Sequence, residues 1–274
     1  MSAGERFAGF DRLYGQGSLE RLSRSHVVVV GLGGVGSWLA EALVRSGLGR
    51  ISLIDADDVC ISNCNRQLHA LDGQFGRPKV AVMAERLRAI NPELKVHTVS
   101  EFLTAGNLER LLDGDQDLVV DACDAFRSKV ELIHWCRRNK RALIVCGSAG
   151  GRSDPTRVQV RDLSRTEHDA LLSLIRKKLR AEFGFPRNRS RYFGVPAVYS
   201  LENVRYPQAD GSVCGQRPDR VGAGRIECGG GLGAAMHVTA AFAMAAAAKA
   251  IEMLLDAPPR ATAMSAADTA TRNL

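Results

Sequence analysis

Residues 26–55, HVVVVGLGGVGSWLAEALVRSGLGRISLID, read as strand, glycine turn, helix and strand in direct succession. His26-Val27-Val28-Val29-Val30 is a nearly unbroken β-branched run, the pattern of a strand buried on both faces. The spacing beyond the turn predicts a helix over 37–46, with Trp38, Leu39, Ala42 and Leu43 at helical intervals and Gly47 and Gly49 as its stop. A second strand over 51–54 ends on Asp55. Between strand and helix, Gly31, Gly33 and Gly36 match G-x-G-x-x-G, and Gly34 adds a fourth glycine. Such a turn lets backbone approach an anion with no Cβ in the way, while the helix N-terminus offers free N–H groups and a partial positive charge. Asp55 is placed to take ribose hydroxyls. The unit predicts a nucleotide site and leaves NAD and ATP both open.

Outward from it, the pattern predicts a helix over 77–90 with Pro78 in its first turn, a strand over 94–99, a short helix over 107–112 and a buried strand over 118–120 ending on Asp121. A helix over 128–139 and a strand over 142–146 come next. Strands alternating with helices predict a Rossmann-like, doubly wound α/β fold with a mainly parallel sheet flanked by helices. Past Gly151 the rhythm changes. A strand over 157–163 and a helix over 168–183 precede a stretch, 184–233, rich in Gly, Pro and Arg that reads as irregular, and a last helix spans 234–255. On this reading 1–25 form an N-terminal helical arm and 26–151 the nucleotide-binding core. Residues 152–256 form a smaller, irregular C-terminal part of the same domain that completes the sheet, and 257–274 a flexible tail.

Apolar residues make up 45% and charged residues 24%, an ordinary globular balance, and the net charge of +7 suits an anionic partner such as a nucleotide or RNA. Seven scattered cysteines with no Cys-x-x-Cys pair argue against a disulfide framework and a zinc ribbon, and favour reduced thiols in the cytoplasm. Residues 1–17 mix acids with bases and have no apolar core, unlike a secretory signal. The uncharged, alanine-rich run 238–248 is short of the ~20 apolar residues a membrane span needs, so a buried helix and no membrane insertion are expected. Arg176, Lys177, Lys178, Arg180, Arg187, Arg189 and Arg191, interleaved with Phe183, Phe185, Tyr192 and Phe193, form the candidate RNA contact: cations for phosphates, aromatics for an unpaired base.

The segment after Asp55 separates the two nucleotides. Asp55-Ala56-Asp57-Asp58-Val59 leads into Asn63-Cys64-Asn65-Arg66-Gln67, a polar, cationic loop for which a dehydrogenase has no special need. A triphosphate does: Arg66 and Lys79 can neutralise phosphate oxygens, and Asn63, Asn65 and Gln67 supply neutral donors.

With GLGGVG (31–36), DADDV (55–59), NCNRQ (63–67), Lys79 and a second aspartate segment, Asp121-Ala122-Cys123-Asp124, the chain resembles the ubiquitin-activating-enzyme-like superfamily, which includes the adenylating enzymes of the molybdopterin and thiamin pathways. The resemblance implies that ATP is held by Gly31, Gly33, Gly34 and Gly36, that Asp55 and Asp57 serve the ribose end, that Asn63, Arg66, Gln67 and Lys79 serve the triphosphate, and that Asp124 handles magnesium. Ala125 stands where that superfamily commonly has Asn, and its zinc-binding cysteine pairs are missing, so no zinc is expected. Within the superfamily the chain is similar, over most of its length, to enzymes that cyclise threonylcarbamoyladenosine in tRNA. The shared segments include Arg12-Leu13-Tyr14-Gly15, Cys136-Arg137-Arg138-Asn139-Lys140, Asp154-Pro155-Thr156, Asp210-Gly211-Ser212-Val213-Cys214 and the glycines of 229–233. This implies that the basic stretch over 176–191 meets tRNA. It also implies a homodimer in which Arg12 reaches the neighbouring site, and adenylation of the threonyl carboxylate followed by attack of the carbamoyl group. A monovalent cation remains an open addition. The rival is a sulfur relay, with Cys214 or Cys228 as nucleophile and a cysteine desulfurase or sulfur acceptor as partner. A nicotinamide oxidoreductase and a non-catalytic nucleotide sensor are more distant alternatives.

Overall fold

The computed structural model describes residues 3–188, 190–208, 210–216 and 232–257; Arg189, Cys228, the glycines at 229–231 and the tail at 258–274 lie outside them. Three helices lead in: α1 (Ala3–Phe7), α2 (Gly9–Tyr14) and α3 (Ser18–Arg24). Alternation then begins with β1 (His26–Val30), α4 (Gly36–Arg45), β2 (Arg50–Ile54), α5 (Lys79–Ile90), β3 (Lys95–Val99), α6 (Leu108–Leu112), β4 (Leu118–Asp121), α7 (Phe126–Arg138) and β5 (Leu143–Cys146). The remainder adds β6 (Val158–Asp162), α8 (Ala170–Glu182), β7 (Pro196–Ser200), a small hairpin of β8 (Tyr206–Pro207) and β9 (Val213–Cys214), and α9 (Met236–Asp256).

Seven strands form one sheet in the order β3-β2-β1-β4-β5-β7-β6, parallel except for β6, which runs antiparallel to β7. α4, α5 and α9 cover one face, and α6, α7 and α8 the other. Residues beyond 152 therefore complete the same sheet. The strand order reverses between β1 and β4, and a doubly wound sheet opens its ligand crevice at that point, outside the carboxyl ends of the strands.

The stretch read as irregular holds a buried strand. Pro196 obscured β7 in the sequence, because proline in a strand pattern argues against an interior strand. Here it is the first residue, and Val198, Tyr199 and Ser200 behind it are wholly buried between β5 and β6. Gly194, at φ +71°, makes the bend into it.

α9 is long and apolar enough to cross a membrane by length and mean hydropathy (1.6) alone. Its Val238, Phe242, Ala243, Ala246, Ala250 and Leu254 stripe is buried against α4 and the sheet, the packing of a core helix.

The amino edge of the sheet is tied by charge. Arg50 grips Asp115 with two bonds of 2.5 and 3.0 Å. Chiefly through that grip, the carboxyl is held from 3.8 down to about 2. A depressed acid contributes its stability above the unfolded value and loses it as pH falls through the folded one. Asp115→Asn is therefore expected to lower the melting temperature slightly at pH 7, with the gap to the wild type closing between pH 3.8 and 2. The pair is half exposed, so the effect stays small.

Candidate active site

The glycine turn joins β1 to α4 at the switch point. Gly31 sits at φ +87°, and its N–H donates to the Ile54 carbonyl at 2.8 Å. A Cβ there would lie 2.9 Å from the Cys123 nitrogen, and one on Gly36 would run into the Gly31 carbonyl oxygen. On Gly34 it would lie 3.0 Å from Thr239 of α9. Gly31 and Gly36 are required by packing against backbone, and Gly34 leaves Thr239 little room. Gly33 differs: a Cβ there meets nothing within 4 Å, so it faces the open side of the turn. No side chain caps α4, and the Gly34 and Val35 amides have no partner among the described residues. Free amides at a helix N-terminus favour an anion.

Asp55, nearly buried, closes the turn from β2. Its Oδ2 accepts from Leu32 N at 2.6 Å and its Oδ1 from Asp57 N at 2.8 Å. Burial pushes its carboxyl above the usual carboxylate range, opposed first by Lys79. Lys79, the first residue of α5, has only 7% of its side chain exposed and places Nζ 2.8 Å from Asp57 Oδ2. Lys79, Asp55 and Asp57 thus form one charged group beside the turn.

The 63–67 loop is brought to the same place. Trp38, in the first turn of α4, donates its indole N–H to the Arg66 carbonyl at 3.0 Å, and Ser37 Oγ accepts from Leu68 N at 3.3 Å. The Arg66 guanidinium touches Ser62 O at 2.9 Å and Asn65 Oδ1 at 3.0 Å and makes no ion pair among the described residues. Asn65 clamps the segment before α9: its Nδ2 donates to Ala234 O at 2.7 Å and its carbonyl accepts from Met236 N at 3.1 Å. Asn63 is turned inward, its Oδ1 accepting from Cys60 N at 3.1 Å. Gln67 is buried with Oε1 unpartnered among the described residues. His69 is fully buried with neither ring nitrogen bonded among the described residues; burial first, then Lys79 and Arg86, push it down to about 4.

Asp124 lies exposed beyond β4 and makes no hydrogen bond among the described residues. It does not cap the next helix: α7 begins at Phe126, the capping position is Ala125, and no side-chain bond closes it. The sequence reading missed Lys129, whose Nζ lies 2.7 Å from Asp121 Oδ2 with both side chains wholly buried. The signal was present, since Lys129 shares the buried face of α7 with Ile133 and Cys136.

Other expected residues divide. Arg12 is exposed on α2, away from the turn within this chain. Cys214 sits in β9 with Sγ beside Gln216. Cys136 and Cys146 are pushed up to about 12 by burial, and Cys123 higher still, so none is a thiolate at neutral pH. Of the four aromatics expected to stack on RNA, Phe185 and Phe193 are core and Phe183 packs on His134. Tyr192 is 65% exposed, under the Arg165 guanidinium at 4.8 Å. It lines a crevice of about 830 Å³ with Arg161, Arg165, Arg176 and Arg180. Lys178 instead pairs with Glu182 at 2.5 Å, and Lys177, Arg187 and Arg191 are exposed.

The switch-point turn, the acid closing it and the cations on its open side define a nucleotide-binding α/β protein of the adenylating type. Residues 6–273 match the ThiF family model, and the chain belongs to the ThiF family. It is 46% identical to the tRNA threonylcarbamoyladenosine dehydratase of Escherichia coli (strain K12), over 92% of this chain and 94% of that one. It is 42% identical to the Haemophilus influenzae protein of the same name, with the same coverage. The crystal structure of the E. coli dehydratase in complex with ATP superposes with a TM-score of 0.82 at 42% identity, covering 92% of this chain and 94% of that one.

Proposed function

We propose that this chain cyclises threonylcarbamoyladenosine in tRNA by ATP-dependent dehydration. The observation that carries the reading is the Arg66 guanidinium, without an ion-pair partner among the described residues, on a loop whose Arg66 carbonyl Trp38 ties to the uncapped N-terminus of α4, in a chain similar to the E. coli dehydratase over nearly its full length. Transfer of AMP to the threonyl carboxylate creates a good leaving group, and the neighbouring carbamoyl closes the ring, so that one water is lost overall. Attack within one nucleoside gains from proximity and needs no protein nucleophile. The turn amides and the open side of Gly33 hold phosphate, Asp55 holds ribose, and Arg66 and Lys79 neutralise charge gathering on the transferred phosphorus. To do so Lys79 exchanges its Asp57 partner for phosphate oxygen. Asn63 and Gln67 line the same loop as neutral donors. Magnesium fits a site without a protein cage, since it keeps waters and phosphate oxygens and needs one or two carboxylates. Asp124, exposed and unspent among the described residues, is that carboxylate. Arg12 acts from the second copy of a homodimer, and the protein works in the cytoplasm.

Incubated with ATP, magnesium and tRNA bearing threonylcarbamoyladenosine, the protein is expected to release AMP and leave a nucleoside lighter by one water; an unchanged nucleoside mass refutes the substrate. The sulfur-relay reading requires Cys214 or Cys228, and full activity of both Ser variants removes it.

Two glycine variants separate binding from folding. Gly33→Ala is expected to keep its melting temperature yet bind ATP at least about tenfold more weakly in calorimetry, because its Cβ enters only ligand space. Gly36→Ala is expected to lose both. Paired charge removal, Arg165→Ala with Arg180→Ala, is expected to weaken tRNA binding and flatten its salt dependence by about one to two units of log–log slope, with ATP binding untouched. An unchanged slope places the tRNA elsewhere.

A further inference from the structure

At the edge of the sheet opposite the glycine turn, β1, β2 and β3 start in register. His26, Arg50 and Lys95 form one row, and Val28, Ser52 and His97 form the row two residues on. Side chains alternate along a strand, so these six share a face. The helix over that part of the face, α6, has only five residues. It leaves a crevice of about 640 Å³ whose lining includes His26, Ser52, Lys95, His97, Leu111 and Gly114.

Three of the groups gathered here are in relay. His26 Nε2 lies 2.8 Å from Ser52 Oγ, and His26 Nδ1 lies 3.2 Å from Asp115 Oδ1. Arg50 holds both oxygens of the Asp115 carboxylate, sharing Oδ1 with His26. The His26 backbone is fixed as well, donating to Asp117 Oδ2 at 2.8 Å and accepting from Asp117 N at 2.8 Å. Nucleophile and base stand on β2 and β1, and the orienting acid on the loop between α6 and β4, in hydrogen-bond succession, the arrangement that activates a serine. The amides of Gly114 and Asp115 have no partner among the described residues, and Gly114 lines the crevice. Unspent amides are the donors a developing oxyanion needs.

We propose that Ser52, His26 and Asp115 form a second reactive centre, in which Ser52 is an activated nucleophile toward small acyl esters. Ser52 Oγ bonds to the ester carbonyl carbon as its proton passes to His26 Nε2. The ester C–O bond breaks, and the departing alkoxide takes that proton. Water, deprotonated by His26, then cleaves the acyl–Ser52 bond, releasing the carboxylic acid and restoring Ser52. Asp115 keeps the proton on Nδ1 so that Nε2 faces Ser52. Burial, with help from Arg50, keeps the His26 imidazole below its usual range against the pull of Asp115 and Asp117, so it is a neutral base at pH 7. Lys95 and His97 line the crevice, favouring an acyl group with negative charge. None of these residues belongs to the nucleotide site, so the proposal stands apart from the adenylation reading.

The test is labelling of the full chain with a fluorophosphonate probe, followed by peptide mass mapping, beside turnover of p-nitrophenyl acetate. One adduct on Ser52 is expected, absent in Ser52→Ala. Its rate of formation is expected to fall by about 10²-fold or more in His26→Ala, the usual contribution of a general base. If His26→Ala does not fold, as judged by its melting curve, Asp115→Asn gives the same reading through a smaller fall in rate. Absence of an adduct on Ser52, or labelling at an undiminished rate in a folded His26 or Asp115 variant, overturns the proposal.

Discussion

Lys79→Ala is expected to lower kcat/KM for adenylate formation by about 10²–10³-fold, the usual effect of removing one preorganised group that meets transition-state charge. Its melting temperature should fall only modestly, since Lys79 also holds down the buried Asp55 carboxyl. The Lys79–Asp57 pair is buried on one side only, with Asp57 53% exposed, and ion pairs open to water contribute little to stability. A large kinetic loss with a small thermal one separates a phosphate-binding lysine from a structural one. Measured as ATP–pyrophosphate exchange beside a thermal melt, an undiminished exchange rate removes Lys79 from the mechanism. Lys79→Arg is expected to restore only part of the activity, since a planar fork does not replace a compact ammonium held at the start of a helix. The same Ala variant has a consequence in acid. Lys79 is the main influence holding the Asp55 carboxyl down against burial, so without it that carboxyl rises further. Asp55 is then protonated at a higher pH, and the acid limb of ATP binding should shift upward.

The glycine turn and its strands could be read from residues because each obeys a local rule. A strand buried on both faces shows as a β-branched run, and a phosphate turn shows as glycines at fixed spacing. The acid on β2 and the cations on the loop after it were found by chain order alone. Three features escaped for a common reason: they depend on partners distant in sequence. β7 is a strand because β5 and β6 flank it, whatever Pro196 says locally. Phe185 and Phe193 looked available to RNA because they sit among arginines, yet they pack on each other at 4.9 Å between ring centres and belong to the core beneath α8. The roles of the four glycines also differ only in three dimensions. Gly36 is obligatory because Gly31 folds back over it, whereas Gly34 is tight only against Thr239 of α9, about two hundred residues later. A motif therefore locates the turn, and only packing shows that Gly33 faces its open side.

Lys129→Met is expected to destabilise the fold by about 3–5 kcal/mol in urea unfolding, a large effect for one side chain. The reason is the Asp121 carboxylate left behind. It lies at the end of β4, is wholly buried, and has the Lys129 ammonium 2.7 Å from Oδ2, while its Oδ1 accepts from the Cys123 backbone amide at 3.1 Å. Burial opposes the Lys129 charge, but attraction to that carboxylate outweighs it and keeps Lys129 above the usual lysine range. Removing one charge leaves the other desolvated, whereas removing both removes the penalty with the attraction. Lys129→Met combined with Asp121→Asn, which keeps an acceptor for Cys123 N, should therefore recover most of the lost stability. Recovery of activity is a separate matter. Asp121 and Lys129 fix the end of β4 from which the segment Ala122-Cys123-Asp124 departs: Ala122 N donates to Val30 O at 2.8 Å, and the Cys123 backbone is what a side chain on Gly31 would strike. A neutral pair that restores folding but shifts this corner should raise KM for ATP while the melting temperature returns. If the double variant is no more stable than Lys129→Met alone, the cost lies in lost packing and not in an unpaired charge.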